Sequence, residues 1–122
     1  MFKRFLLILV LFTTLSASAG ELDKLINNNE KLFLYLYTQK CTYCVKFNPI
    51  YNKMAKKYGS KCKFLKLDAN TEQGSHLMYE TRASYVPNVL IIDSTKRTMG
   101  KLTPDCLLNE ACMDKVLKGF TN

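Results

Sequence analysis

Two thiols three residues apart, Cys41 and Cys44, carry the chemistry suggested by Thr38-Gln39-Lys40-Cys41-Thr42-Tyr43-Cys44-Val45-Lys46. Thiols at this spacing can close a small disulfide ring or form half of a zinc site. An apolar run, Leu32 to Tyr37, precedes them and reads as a buried strand, and the apolar spacing from Val45 to Tyr58 is helical. Cys41 then falls at an exposed helix N-terminus, where unpaired N–H groups and the positive end of the dipole favour a thiolate. Cys44 lies one turn in, within reach of a mixed disulfide formed by Cys41. One accessible thiolate and one resolving thiol are what thiol–disulfide exchange requires.

Other uses of the pair fit less well. A zinc centre needs about four ligands. The only histidine, His76, falls on a third helix and reads as a surface residue, so no metal is expected. Haem attachment needs C-x-x-C-H, and Val45 follows Cys44. No bound cofactor is expected. A permanent structural disulfide is the plain alternative to exchange.

The N-terminus reads as a secretory signal. Lys3 and Arg4 precede an apolar run, Phe5 to Phe12, and a polar, small-residue stretch ends in Ala17-Ser18-Ala19. The apolar run is eight residues, far short of the roughly 20 of a spanning helix. Cleavage after Ala19 would leave 103 of the 122 residues, 20–122, as one small domain. Without Lys3 and Arg4 there are 16 basic and 10 acidic side chains, a net charge of +6. The lysines are scattered rather than gathered into a nucleic-acid platform, and export argues against that partner; solubility and weak attraction to anionic surfaces or acidic partners are the modest inference. Five cysteines in such a domain indicate an oxidising compartment, and an odd count leaves one thiol unpaired within the chain. No N-x-S/T sequon and no ER-retention signal appears, so the periplasm is the expected location.

The elements that must hold the thiols follow in order. Glu21 to Asn29 is a short amphipathic helix with Leu22, Leu25 and Ile26, ended by the asparagine run. Strand Leu32–Tyr37 leads to a helix over about 42–58, with Val45, Phe47, Ile50, Tyr51, Met54 and Ala55 on its apolar face, Pro49 as an expected kink and Gly59 as a stop. Lys63 to Asp68 is a charged strand suited to an edge. Thr71 caps a third helix, and Tyr85 to Asp93 is an apolar strand with Pro87 at its mouth. A turn near Ser94 leads to a strand over about 97–102, and Thr103-Pro104-Asp105 starts a last helix that ends near Lys118-Gly119. The helix between the first two strands predicts a parallel crossover, and the short link between the last two predicts a hairpin.

In this order the chain resembles the thioredoxin family over nearly all of residues 20–122. The resemblance rests on the C-x-x-C after the first strand, Pro49 five residues past Cys44, Val86-Pro87, and Gly100-Lys101-Leu102-Thr103 before the last helix. It implies an α/β thioredoxin fold: a four-stranded mixed sheet, two parallel strands plus an antiparallel hairpin, flanked by helices. It also implies a cis bond before Pro87, with Val86 pairing to an extended substrate segment. Departures are plain. Family members usually carry Trp-Cys-Gly-Pro-Cys, here Lys40-Cys41-Thr42-Tyr43-Cys44, and the buried acid thought to assist the second cysteine falls at Tyr35. Tyr43 looks like the tyrosine of glutaredoxins and of periplasmic disulfide isomerases. The chain lacks the helical insertion of the periplasmic disulfide oxidases and the dimerisation domain of the isomerases, so a minimal exported domain, expected to be a monomer, remains.

Cys41 is thus read as the nucleophile and Cys44 as the resolving thiol. Tyr43, Val86 and Pro87 are read as substrate-binding, with Tyr85 flanking the sulfur as well; the alternative for the two tyrosines is that they only fill surface beside the core. Cys106 and Cys112 pose a geometric problem. On an unbroken helix they stand about 120° apart in azimuth and about 9 Å apart along the axis, too far to bridge. Either the helix begins near Asn109 and Cys106 folds back, or they are not partners; a structural disulfide is the reading taken, because exported chains rarely leave two such thiols free. Cys62 is then the odd thiol, a buried apolar residue. The function expected is a periplasmic thiol:disulfide oxidoreductase acting on protein disulfides as a reductase, re-reduced by a membrane electron donor. A dithiol oxidase and a redox-inert peptide-binding module are the alternatives.

Overall fold

The computed structural model describes residues 20–122; the signal-peptide reading of residues 1–19 lies outside the described residues. Four strands form one sheet in the order β2-β1-β3-β4: β1 Lys31–Tyr37, β2 Lys63–Asp68, β3 Asn88–Asp93 and β4 Thr98–Lys101. β2 runs parallel to β1, Leu32 opposite Lys63. β3 runs antiparallel to β1, Leu34 opposite Leu90, and β4 completes the hairpin with Gly100 opposite Ile91. The charged strand β2 lies at an edge, and the apolar β1 in the interior of the sheet, as their compositions require.

Alternation along β1 divides the core in two. Phe33 and Tyr35 face one layer, with Phe47, Tyr51, Met54, Met113 and Leu117. Leu32, Leu34 and Leu36 face the other, with Leu77, Leu90 and Ile92. The first layer is covered by α2 (Thr42–Tyr58) and α5 (Glu110–Phe120), the second by α1 (Glu21–Asn28) and α3 (Glu72–Glu80). α1 has no side-chain cap of its own; the Glu80 carboxylate, at the end of α3, accepts from the N–H groups of Glu21 and Leu22 at 3.2 and 2.8 Å. Thr71 caps α3 by accepting from the N–H of Gly74 at 3.1 Å.

Three elements depart from the sequence reading. The buried stripe of α2 is Cys44, Phe47, Tyr51, Met54 and Tyr58, while Val45 is exposed; the helix is rotated so that the second cysteine, not the residue after it, enters the core. β3 begins at Asn88, so Tyr85, Val86 and Pro87 form its approach rather than its first residues. The last helix is two: α4 (Pro104–Leu107) and α5, separated at Leu108 and Asn109. Asn109 caps α5, its Oδ1 accepting from the N–H of Cys112 at 3.1 Å.

Candidate active site

The end of β1 delivers the chain through Thr38 and Lys40 to Cys41, the N-cap of α2. A disulfide joins Cys41 to Cys44, with their Cα atoms 5.1 Å apart. Cys41 is half-buried and Cys44 is buried, so the two sulfurs differ in access. The N–H of Cys44 donates to Sγ of Cys41 at 3.0 Å. No acidic residue stands in the first turn of this 17-residue helix, and Lys40 and Lys46 are exposed nearby. Negative charge on Cys41 therefore meets a helix N-terminus, a directed N–H and two cationic neighbours.

Beneath the pair lies Tyr35, fully buried against the edge of Phe47, ring centroids 4.8 Å apart, and tilted against Tyr51 at 5.1 Å. Its hydroxyl stands 3.3 Å from the carbonyl oxygen of Cys44 and donates to Oδ1 of Asn48 at 2.8 Å. Burial, reinforced by Tyr37 and Tyr51, holds this phenol far above its ordinary range, so it is a neutral donor at physiological pH. Tyr35 thus occupies the buried acid's place as a hydrogen-bonding group without the acid's ability to accept a proton. Asn48 escaped the sequence reading; an amide four residues past Cys44, on the same side of an amphipathic helix, was the signal available.

The Val86–Pro87 peptide bond is cis. Val86 and Pro87, with Tyr43 and Tyr85, line a groove of about 610 Å³ whose far side is Pro104, Leu107 and Leu108 of the α4 segment. Tyr43 is 58% and Tyr85 42% exposed, so part of each side chain is open to a bound chain. Cys106 and Cys112 are joined by a disulfide, Cα atoms 5.3 Å apart, which ties α4 to α5; the break at Leu108–Asn109 brings the two residues within reach. Cys62 is free and buried, and burial pushes its thiol up to about 11 despite Lys31 and the Phe33 backbone. His76 is exposed on α3.

The thioredoxin family matches the chain over residues 13–109. Among solved structures, the chain is similar to the oxidised thioredoxin of Plasmodium falciparum, at 19% identity over 86% of this chain and 94% of that one, with a TM-score of 0.66. It is also similar to oxidised mitochondrial thioredoxin 3 of Saccharomyces cerevisiae, at 22% identity over 81% and 87% of the two chains, TM-score 0.66. The thioredoxin of Fasciola hepatica matches at 20% identity over 81% and 90%, TM-score 0.65. No curated protein matches the chain. These structural likenesses concern the fold, while the family match and the C-x-x-C pair at the helix start bear on chemistry. On both grounds the chain belongs to the thioredoxin family and is a thiol:disulfide oxidoreductase.

Proposed function

We propose that this protein is an exported reductase of protein disulfides, working in the periplasm after removal of residues 1–19 by cleavage behind Ala19. Cys41 is the nucleophile and Cys44 the resolving thiol. The observation that supports these roles most directly is the asymmetry of the pair: Cys41 is half-buried at the N-cap, Cys44 is 1% exposed, and the N–H of Cys44 points at Cys41 Sγ.

In the forward reaction the Cys41 thiolate attacks one sulfur of a substrate disulfide. That S–S bond breaks, one substrate sulfur leaves as a thiolate, and the other is held on Cys41 as a mixed disulfide. Cys44 then loses its proton and attacks Cys41 Sγ, forming the 41–44 disulfide and releasing the second substrate thiolate. The substrate gains two electrons and two protons, and the enzyme dithiol becomes the disulfide present in this structure. A dithiol donor, which we place in the membrane, restores the reduced pair. Val86 and Pro87 hold the substrate backbone, with Tyr43 against its side chains, because these residues line one groove and Tyr43 lies between the two cysteines in the chain.

Catalytic reduction of insulin disulfides by the pre-reduced protein, in the presence of dithiothreitol, tests the activity; absence of turnover sinks it in favour of an inert peptide-binding module. The reduction potential of the 41–44 pair tests direction. A value near about −270 mV supports a reductase, and one near about −120 mV assigns the oxidase role instead. Finding Gly20 at the N-terminus of the envelope form supports export, and a protein retaining residues 1–19 in the cytoplasm overturns it.

A further inference from the structure

The two tyrosines of the groove each carry a lysine on the ring face. Lys46 Nζ stands 5.4 Å from the Tyr43 ring centroid, and Lys101 Nζ 4.8 Å from that of Tyr85. Both separations are within the roughly 6 Å range of cation–π attraction, which biases each ammonium toward a tyrosine that lines the groove. Among the described residues, neither lysine has a carboxylate partner. The ion pairs among the described residues are Lys24–Glu21, Lys53–Glu110 and Lys57–Asp114, all elsewhere. Lys40, beside Cys41, is exposed and likewise outside these pairs. Against them the groove lining holds one carboxylate, Asp105, while Leu107 and Leu108 make its wall apolar.

We infer that this groove selects disulfides borne on extended, acidic polypeptide segments, an apolar side chain seated against Leu107 and Leu108 and carboxylates meeting Lys46 and Lys101. The inference deepens the oxidoreductase reading above and rests on it. Charges at the rim of an interface steer encounter and set salt dependence more than they set final affinity. Their reach is about 10 Å at 0.1 M salt, enough to act on residues flanking the substrate cysteine. An anionic membrane would meet the same lysines, yet a largely apolar concavity lined by their two tyrosines suits a chain rather than a surface.

The test uses three disulfide-linked peptides identical except for glutamate, serine or lysine flanking the cysteine. The wild-type protein should reduce the glutamate peptide with a kcat/KM about fivefold above the lysine peptide in low salt, the gap closing in about 0.5 M salt. In the double variant Lys46→Glu, Lys101→Glu the ratio should fall to about one or below. The ratio is the readout because a charge change beside Cys41 also alters its thiolate. A control, Lys56→Glu with Lys61→Glu at the far end of α2, changes net charge equally and should keep the wild-type ratio. Equal rates for the three peptides, while neutral hydroxyethyl disulfide is turned over, would overturn the surface assignment and leave the oxidoreductase reading intact. Loss of the ratio in the control would reduce the effect to net charge and also overturn it. Lysine-dependent binding to phosphatidylglycerol vesicles without peptide discrimination would assign the patch to a membrane instead. Charge-selective binding of cysteine-free peptides by fluorescence anisotropy, with no exchange on any disulfide, would sink the oxidoreductase reading and leave the surface standing.

Discussion

The hydroxyl of Tyr35 lies 3.3 Å from the carbonyl oxygen of Cys44, reaching the first turn of α2 from the buried face of the sheet. The same hydroxyl gives its one proton to Oδ1 of Asn48 at 2.8 Å, so it ties β1 to the second turn of α2 beside Cys44. Its raised pKa keeps it protonated at physiological pH, and it cannot take the Cys44 proton during resolution. Tyr35→Phe should therefore lower stability by about 1–2 kcal/mol in urea unfolding, with Oδ1 of Asn48 left without this donor. The shape of the pH–rate profile for mixed-disulfide resolution should be unchanged. A displaced profile would make Tyr35 a proton-transfer group and contradict the assignment.

The mixed disulfide should be trappable. In Cys44→Ser the hydroxyl cannot resolve the intermediate at neutral pH, so dithiothreitol-sensitive adducts of higher mass should accumulate when the variant is expressed in its host. They should disappear when Cys41 is replaced as well. Adducts that survive loss of Cys41 would come from other thiols and remove support for its role as nucleophile.

The Cys106–Cys112 disulfide closes a short loop and ties the α4 wall of the groove to α5. Replacing both cysteines by alanine should cost about 2 kcal/mol of stability, measured by urea unfolding. It should also raise KM for insulin more than it lowers kcat, because Leu107 and Leu108 lose their tether while the 41–44 pair keeps its own. An equal fall in kcat with unchanged KM would show that this wall does not bind substrate.

Lys57 and Tyr58 both donate to Oδ1 of Asp114 at 2.7 Å, joining α2 to α5. The Lys57 hydrogen bond first, then that of Tyr58, holds the Asp114 carboxyl below its ordinary value of 3.8. A lowered folded-state pKa gives stability that is present above the unfolded value and lost as pH falls through the folded one. Asp114→Ala should thus be less stable than wild type near neutrality, the gap shrinking below about pH 4. A gap independent of pH would assign the effect to packing alone.

Cys62 has the opposite sign. Its thiol is raised from 9.0 to about 11 by burial, so its contribution is whole below about pH 9 and is lost as pH rises toward 11. Cys62→Ala should flatten the alkaline fall in stability across that window. Tyr35 and Tyr51, also raised, remain in both proteins, so the difference isolates Cys62. Identical alkaline slopes would mean that Cys62 is not protected by the fold.

The sequence by itself determined what local rules control. The continuous apolar run Leu32–Tyr37 marked a buried strand, Thr71 marked a helix start, and the charges of Lys63–Asp68 marked an edge strand. The C-x-x-C before a helical pattern marked the pair that shares one turn, because covalent neighbours along a helix meet whatever surrounds them. The rotation of α2 was a tertiary decision. Val45 and Cys44 both suit an apolar face, and the aromatic layer of Phe33, Tyr35 and Phe47 made Cys44 the buried one. The break at Leu108–Asn109 was another. Thr103 and Asn109 both suit a helix start, and only the tertiary structure shows that a helix follows each, with the side-chain cap made by Asn109 alone. Lys46 and Tyr43 are i,i+3 neighbours on α2, whereas the partnership of Tyr35 with Asn48, and of Lys101 with Tyr85, joins residues from separate elements. Such contacts depend on how helices and strands are laid against one another, and no spacing along the chain encodes them.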